Sequence, residues 1–349
     1  MHTKTYVLLL ARLAFPLCAA QIGIFEDHTD VGAVLHAGSV EYDVSKQTYT
    51  IAGSGENMWF ATDAFQFVWK KVSGDVTLTA DISFIGAGAE AHRKAVLMIR
   101  QSLDPDSPYA DVALHGDGLT SLQARDEKGV NTTEIQSATK APARVRIAKR
   151  GDSFYIWVAA EGQELHFSGG SMRVPMHDPF YVGIGVCSHN KDTVEKAVFS
   201  NVDLTIGPPD ATPKLYSTLE TVPVSGDRRA VYVTPGRLSS PVWTPDGSAL
   251  IFHRDGHSER LPVTGGQPEV TGTSETKVTA EGPHFSPDRQ QIAFLSSAGD
   301  NDVTLNVLSF KDGKVRVLAK LVGGNGAMDE PIWSPDGKRL AFISYQWIQ

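Results

Sequence analysis

Apolar and polar residues alternate in short runs through the first two hundred positions of the chain. Val76–Ile82, Tyr109–His115 and Arg144–Lys149 each follow this pattern. A period of two sends successive side chains to opposite faces, so each run predicts a strand with one buried face and one face that is wet or lines a groove. In Phe65-Gln-Phe-Val-Trp69 three aromatics share a face, which reads Trp69 as core. Lys94–Arg100 is apolar throughout its middle and predicts a central strand covered on both sides. Turn signals at Ser73-Gly74-Asp75, Asp104-Pro-Asp106, Gly116-Asp-Gly118 and Arg150-Gly-Asp152 separate these runs. The pattern predicts two packed antiparallel sheets over residues 21–206.

Beyond residue 217 one phrase occurs three times. It reads Trp243-Thr-Pro-Asp-Gly247 before Leu250-Ile-Phe252, Phe285-Ser-Pro-Asp-Arg289 before Ile292-Ala-Phe294, and Trp333-Ser-Pro-Asp-Gly337 before Leu340-Ala-Phe342. Each copy predicts a hairpin, with Pro setting φ, Asp bonding back to the backbone and Gly tolerating a positive φ. The lead aromatics lie 42 and 48 residues apart, a period that fits four-stranded propeller blades of about 40–45 residues. In the second copy Arg289 stands where the others have Gly, so that turn must avoid a positive φ or accept strain. The Pro-rich stretch within 207–216 predicts a stiff connector between the two parts. Arg229–Val233 predicts the opening strand of residues 217–349, and Leu305–Phe310 a later one.

Residues 1–20 have the pattern of a secretory signal: Lys4, a mostly apolar Tyr6–Leu17 and small residues before a cut near Ala20. The expected location is periplasmic or secreted, without stable membrane insertion. Removing the segment leaves Cys187 as the one cysteine, so an intramolecular disulfide is not expected. Cys187 lies in the strand-like run Tyr181–Cys187 and reads as a buried small residue. The net charge of −8 argues against a general nucleic-acid or anionic-lipid binder.

The phrase at 333–342 resembles the repeat of TolB-type β-propellers. Met58–Thr62, Phe67–Trp69, His92–Arg100, Ala110–Gly118 and Glu195–Asn201 resemble a concanavalin A-like sandwich of the laminarinase and enolase-regulator kind. The resemblance implies an all-β chain: a jelly-roll sandwich followed by an incomplete propeller. Such propellers usually close with about six blades, whereas residues 217–349 hold about three. Middle blades are expected to be missing, or the C-terminal part cut short. Open blade edges would then invite self-association.

Candidate chemistry is sparse. Retaining glucanases need two carboxylates about 5 Å apart on one sheet face. The nearest stretch, Glu41-Tyr-Asp43-Val-Ser-Lys46, carries Lys46 where such enzymes have their second acid. The sandwich histidines His92, His115, His166, His177 and His189 show no metal-ligand spacing, and His253-x-x-x-His257 spans the turn signal Asp255-Gly256. Asp104, Asp106 and Asp117 are candidates for a loop calcium site and equally for ordinary turn residues. No catalytic residue, metal or cofactor is expected. If the strands around Lys94–Arg100 are neighbours, Arg100, Asp111, His115, Gln123 and Arg125 line one concave face, with Trp59 available to stack on a sugar ring. A solvated face laced with ion pairs is the competing reading. The expectation is an exported, non-enzymatic binding protein, its sandwich taking a glycan or other extracellular ligand and its blades contacting protein. The alternatives are a polysaccharide-hydrolase-like enzyme or hydrolase-associated subunit, and a structural cell-envelope protein of TolB type.

Overall fold

The computed structural model describes residues 22–209, 211–273, 284–297, 302–323 and 328–348, so the signal-like segment lies outside it. The described residues form strands, turns and irregular chain, and none of their segments is a helix long and apolar enough to cross a membrane. The first fifteen strands are β1 (Asp27–Val31), β2 (Ser39–Asp43), β3 (Thr48–Gly55), β4 (Phe65–Val72), β5 (Val76–Ile85), β6 (Lys94–Arg100), β7 (Tyr109–His115), β8 (Thr120–Arg125), β9 (Thr133–Gln136), β10 (Arg144–Arg150), β11 (Ser153–Ala159), β12 (His166–Phe167), β13 (Met172–Arg173), β14 (Phe180–Cys187) and β15 (Asn190–Ile206). Two sheets result. One runs β1-β4-β14-β6-β7-β8-β9, the other β12-β11-β10-β5-β15-β3-β2 with β13 beside β11.

Alternation builds the core between them. Ala95, Leu97 and Ile99 of β6, with Ala110, Val112 and Leu114 of β7, meet Leu78 and Ala80 of β5 and Val145 and Ile147 of β10. The opposite parity of the first sheet makes a second, smaller apolar cluster on its outer face: Phe65, Phe67, Val96, Met98, Tyr109, Ala113 and Cys187. β6 is buried along its whole length, as its apolar middle predicts. Trp69 packs half-buried against the outer cluster, not between the sheets.

The remaining strands are β16 (Lys214–Pro223), β17 (Arg228–Pro235), β18 (Leu238–Trp243), β19 (Ala249–Arg254), β20 (His257–Pro262), β21 (Glu269–Thr273), β22 (His284–Phe285), β23 (Gln291–Ser297), β24 (Asp302–Ser309), β25 (Val315–Val322), β26 (Ile332–Trp333) and β27 (Arg339–Ile348). β18–β21 and β22–β25 are four-stranded sheets, each holding one copy of the phrase. A third four-strand set joins distant parts of the chain in the order β17-β16-β27-β26, with β16 and β27 paired from Lys214↔Ile348 to Pro223↔Arg339. The opening strand is therefore β16, and the expected strand at 229–233 is its partner β17.

All three phrases fold alike. The hydroxyls of Thr244, Ser286 and Ser334 each donate to the Asp two residues on, at 2.6 Å. The same hydroxyl oxygens accept from the backbone N–H groups of Ala249, Gln291 and Arg339 at 2.9–3.0 Å. The last turn residue has a positive φ in every copy: 67° at Gly247, 69° at Gly337 and 57° at Arg289. Arg289 therefore accepts the strained conformation.

β27 shows why its sequence is apolar without a break. Leu340 and Phe342 face Ala293, Leu305 and Val307 of the β22–β25 sheet. Ala341, Ile343 and Tyr345 face Leu238, Leu250 and Phe252 of the β18–β21 sheet. One strand thus packs on neighbours at both faces. β17 is not left as a sheet edge, because it pairs in parallel with β9 through Arg228↔Ile135 and Arg229↔Gln136. This joins the two parts of the chain into one eleven-stranded sheet. Ion pairs between Arg173 and Asp302 (3.2 Å) and between Lys320 and Asp126 (2.5 Å) reinforce the junction.

Candidate functional site

The strands that carry the expected groove are neighbours. Arg100 lies opposite Tyr109 and Tyr109 opposite Arg125; Met98 lies opposite Asp111 and Asp111 opposite Gln123; Lys94 lies opposite His115. Directly opposed residues share a face, so Arg100, Asp111, His115, Gln123 and Arg125 do converge on the outer face of the first sheet. That face is not an open groove. Arg100, Asp111, Gln123 and Arg125 are all fully buried and His115 is 5% exposed.

The connection from β3 to β4 folds across the face and closes it. Asp63, from that connection, takes Arg125 on both carboxylate oxygens at 2.7 and 2.9 Å and approaches Arg100 at 3.4 Å. The guanidinium of Arg125 also donates to the carbonyls of Phe60, Ser107 and Val130. Arg100 donates to the carbonyls of Ser102 and Asp104 at 2.6 Å. Both arginines are clips that hold loops onto the sheet, because each planar fork satisfies several orphan carbonyls at once. Lys94 does the same further along, donating to Asn57 Oδ1 (3.1 Å), Met58 O (3.0 Å) and Gln123 Oε1 (3.3 Å). Trp59 is half-buried, with the Lys94 ammonium 5.5 Å from its ring centroid. Its stacking surface is thus turned to a cation of its own chain. The sugar groove expected from these six residues is corrected to a covered polar layer.

Asp111 is unlike its neighbours in this layer. Neither carboxylate oxygen has a hydrogen-bond partner. Burial raises its pKa well above the usual carboxylate range, with Lys94 opposing.

One end of the layer opens to solvent. There His115, at the end of β7, meets His92, which precedes β6, at 3.3 Å between their Nδ1 atoms. Asp117, in the β7–β8 turn, and His92 are both exposed. His189, after β14, brings its ring centroid to 5.7 Å from that of His92. Burial, Lys94 and the two neighbouring histidines push His115 down to about 2, so its imidazole is neutral at ordinary pH. Sequence spacing did not reveal this cluster, because its members come from separate turns that only the sheet brings together. Asp104 and Asp106 lie at the other end of β7, paired with Lys128 at 3.0 and 3.4 Å. They therefore share no site with Asp117. Cys187 is buried, its Sγ within 3.5 Å of Gly55 O, and burial pushes its thiol up to about 11. Asp255-Gly256 is the predicted hairpin turn, with Arg254 opposite His257.

Two further surfaces stand out. A cleft of about 380 Å³ lies at the junction of the two parts, lined by Asp126, Glu134, Asp227, Arg228, Arg316 and Lys320 among others. The other surface is the face of β22–β25 turned away from β27. Register places Phe285, Ile292, Leu308 and Val315 in one row across it, and Phe294, Asn306 and Val317 in the next. Phe285 is 57% exposed, Val315 56% and Val317 51%. Phe310 is also exposed and its ring lies 6.2 Å from that of Phe285. The lead aromatics explain the asymmetry. The Trp243 indole N–H donates to Ile332 O at 3.3 Å and that of Trp333 to His284 O at 2.8 Å, each tying its sheet to the next. Phe285 holds the equivalent place in a sheet that no further sheet flanks on that side among the described residues.

No family model matches the chain. It is 32% identical over 124 residues to an uncharacterized protein of Agrobacterium fabrum, a match covering 32% of this chain and 41% of that protein. It is 31% identical over 124 residues to the Tol-Pal system protein TolB of Nitratidesulfovibrio vulgaris, covering 35% of this chain and 27% of that protein. The chain thus spans less than half the length of these relatives. Among solved structures, a functionally unknown protein from Saccharomyces cerevisiae aligns with a TM-score of 0.40 at 16% identity, over 52% of this chain and 97% of that one. About a third of this all-β chain is therefore similar to a TolB protein, a weak homology that supports a TolB-like β-propeller relation for that part.

Proposed function

We propose that the protein is an exported, non-enzymatic binding protein of the cell envelope that works by protein contact. The observation that carries this reading is the open face of β22–β25. Seven positions in two cross-strand rows, six of them apolar, face away from the packed side of that sheet, and Phe310 extends the patch. A sheet apolar on both faces is built to be covered on both, and a contiguous apolar patch of this kind marks a protein contact site. The similarity to a Tol-Pal system protein agrees with an envelope role. The covered state of Arg100, Asp111, Gln123 and Arg125 argues against a sandwich groove and is in keeping with a contact surface on the blade-like sheets.

A photo-crosslinking side chain at position 310, in the cell that makes the protein, tests the reading. The expected result is one or a few discrete protein adducts that vanish when Phe285→Ser is added, with the circular dichroism spectrum unchanged. No adduct, or adducts indifferent to Phe285→Ser, overturns it.

A further inference from the structure

We infer that His92, His115 and Asp117 form a binding site for a divalent cation of zinc type at the open end of the polar layer. Their ligand atoms all lie within 4.8 Å of one another. The 3.3 Å between the two Nδ1 atoms is long beside the ordinary N–H bond of about 2.9–3.0 Å. It matches the roughly 3.4 Å that two nitrogens keep when both bind one ion at about 2.0–2.1 Å in tetrahedral geometry.

The backbone holds the three positions together before any ion arrives. Gly116 N–H donates to Arg93 O and Asp117 N–H to Ala91 O, both at 2.9 Å, so the β7–β8 turn is bonded to the segment that carries His92. Arg93 itself is turned away, its guanidinium paired with Glu195 at 2.6 Å. Lys94 is the cation that faces His115, and its ammonium is engaged by three oxygens of Asn57, Met58 and Gln123. Exposure of His92 and Asp117 gives the ion an entry path.

Two imidazoles and one carboxylate suit zinc and its borderline neighbours. Three protein ligands leave a fourth position for water or an incoming donor. A second layer is present as well: Gln123 approaches His115 Nε2 at 3.2 Å. When Nδ1 takes the ion the ring hydrogen moves to Nε2, and Gln123 accepts it only by turning its amide oxygen to the ring and giving up its bonds to Lys94 and Glu134.

The test uses the tag-free full chain, stripped with a chelator and titrated with zinc chloride by calorimetry, then with cobalt(II) followed by absorption. The expected result is one equivalent bound at micromolar affinity or tighter, with the intense visible bands of tetrahedral cobalt. His92→Ala and Asp117→Asn should each weaken binding by at least about tenfold. Both residues are exposed, so folding is preserved and is checked by circular dichroism. Absence of micromolar binding by the unaltered chain, or affinity undiminished in either variant, overturns the assignment.

Discussion

Replacing Asp63 by alanine removes the one carboxylate that two buried guanidiniums share. Asp63 is 2% exposed, and Arg100 and Arg125 are fully buried. The substitution deletes the two short bonds from Arg125 and the 3.4 Å approach of Arg100. Breaking a buried ion pair from one side costs about 3–5 kcal/mol, because the remaining charge stays desolvated and unneutralised. Here the lower end applies. Arg125 keeps the carbonyls of Phe60, Ser107 and Val130, and Arg100 keeps those of Ser102 and Asp104. A loss of about 3 kcal/mol is therefore expected, a large share of a typical 5–15 kcal/mol of total stability.

The assay is urea denaturation followed by tryptophan fluorescence, since Trp59 lies in the connection that Asp63 anchors. At about 2–3 kcal/mol per molar urea, the midpoint should fall by roughly 1–1.5 M. The companion variant Asp63→Leu with Arg100→Met and Arg125→Met removes every charge of the cluster together. It should not recover the loss, because the carbonyls of Phe60, Ser107, Val130, Ser102 and Asp104 are left without their donors. A midpoint drop under about 0.3 M for Asp63→Ala, worth less than about 1 kcal/mol, would show that these ions do not clip the loops and would refute the reasoning.

Three other outcomes follow from the geometry. Arg289→Gly relieves a φ of 57°. The left-handed conformation costs a non-glycine residue about 1–2 kcal/mol and glycine loses some of that gain to chain entropy, so the variant should be more stable by about 0.5–1 kcal/mol in thermal unfolding, and a destabilised variant counts against the strain. Asp111 has a pKa raised by burial, so the folded protein holds a proton that the unfolded chain releases above about pH 4. Folding stability tied to this group is complete below that value and falls as pH rises toward the folded pKa. Asp111→Asn should therefore gain stability over the parent with rising pH from 4 upward, and parallel curves would refute it. The Cys187 thiol, pushed up to about 11, should resist a disulfide reagent at pH 8 in a Cys18→Ser background until urea unfolds the chain; prompt labelling of the native protein would contradict its burial.

The alternation in Tyr109–His115 and the apolar middle of Lys94–Arg100 were enough to set strand limits and to say which residues share a face. The three phrases were enough to place the blade hairpins and to mark Arg289 as the strained one. What periodicity cannot report is what covers a face. Asp63 sits in a connection with no period, yet it decides that Arg100 and Arg125 point into a closed layer and not toward a ligand. Long-range pairing was equally silent. Nothing in Arg228–Arg229 announces that they lie beside Ile135–Gln136, and nothing in the order of histidines announces that turns ahead of β6 and after β7 and β14 meet at one rim. Alternation also places Lys94 and Tyr109 at the parity of this layer, so the face they share was legible in the sequence and their burial was not.

The arrangement of the three blade-like sheets follows from which faces are apolar. β27 spends Leu340 and Phe342 on one neighbour and Ala341, Ile343 and Tyr345 on the other, so the set made by β16, β17, β26 and β27 must stand between β18–β21 and β22–β25. The outward faces of those two sheets differ in a way that fixes where contact is to be sought. On β18–β21 the outward row is Val242, Ile251, Arg260 and Glu269, apolar for half its length and charged for the rest. On β22–β25 the row Phe285, Ile292, Leu308 and Val315 is apolar throughout. Water solvates the charged half of the first row at little cost, but every position of the second row favours burial, at about 25 cal/mol for each Å² of apolar surface removed from water. If one end of this stack engages another protein, the physical asymmetry selects the end that carries Phe285 and Phe310.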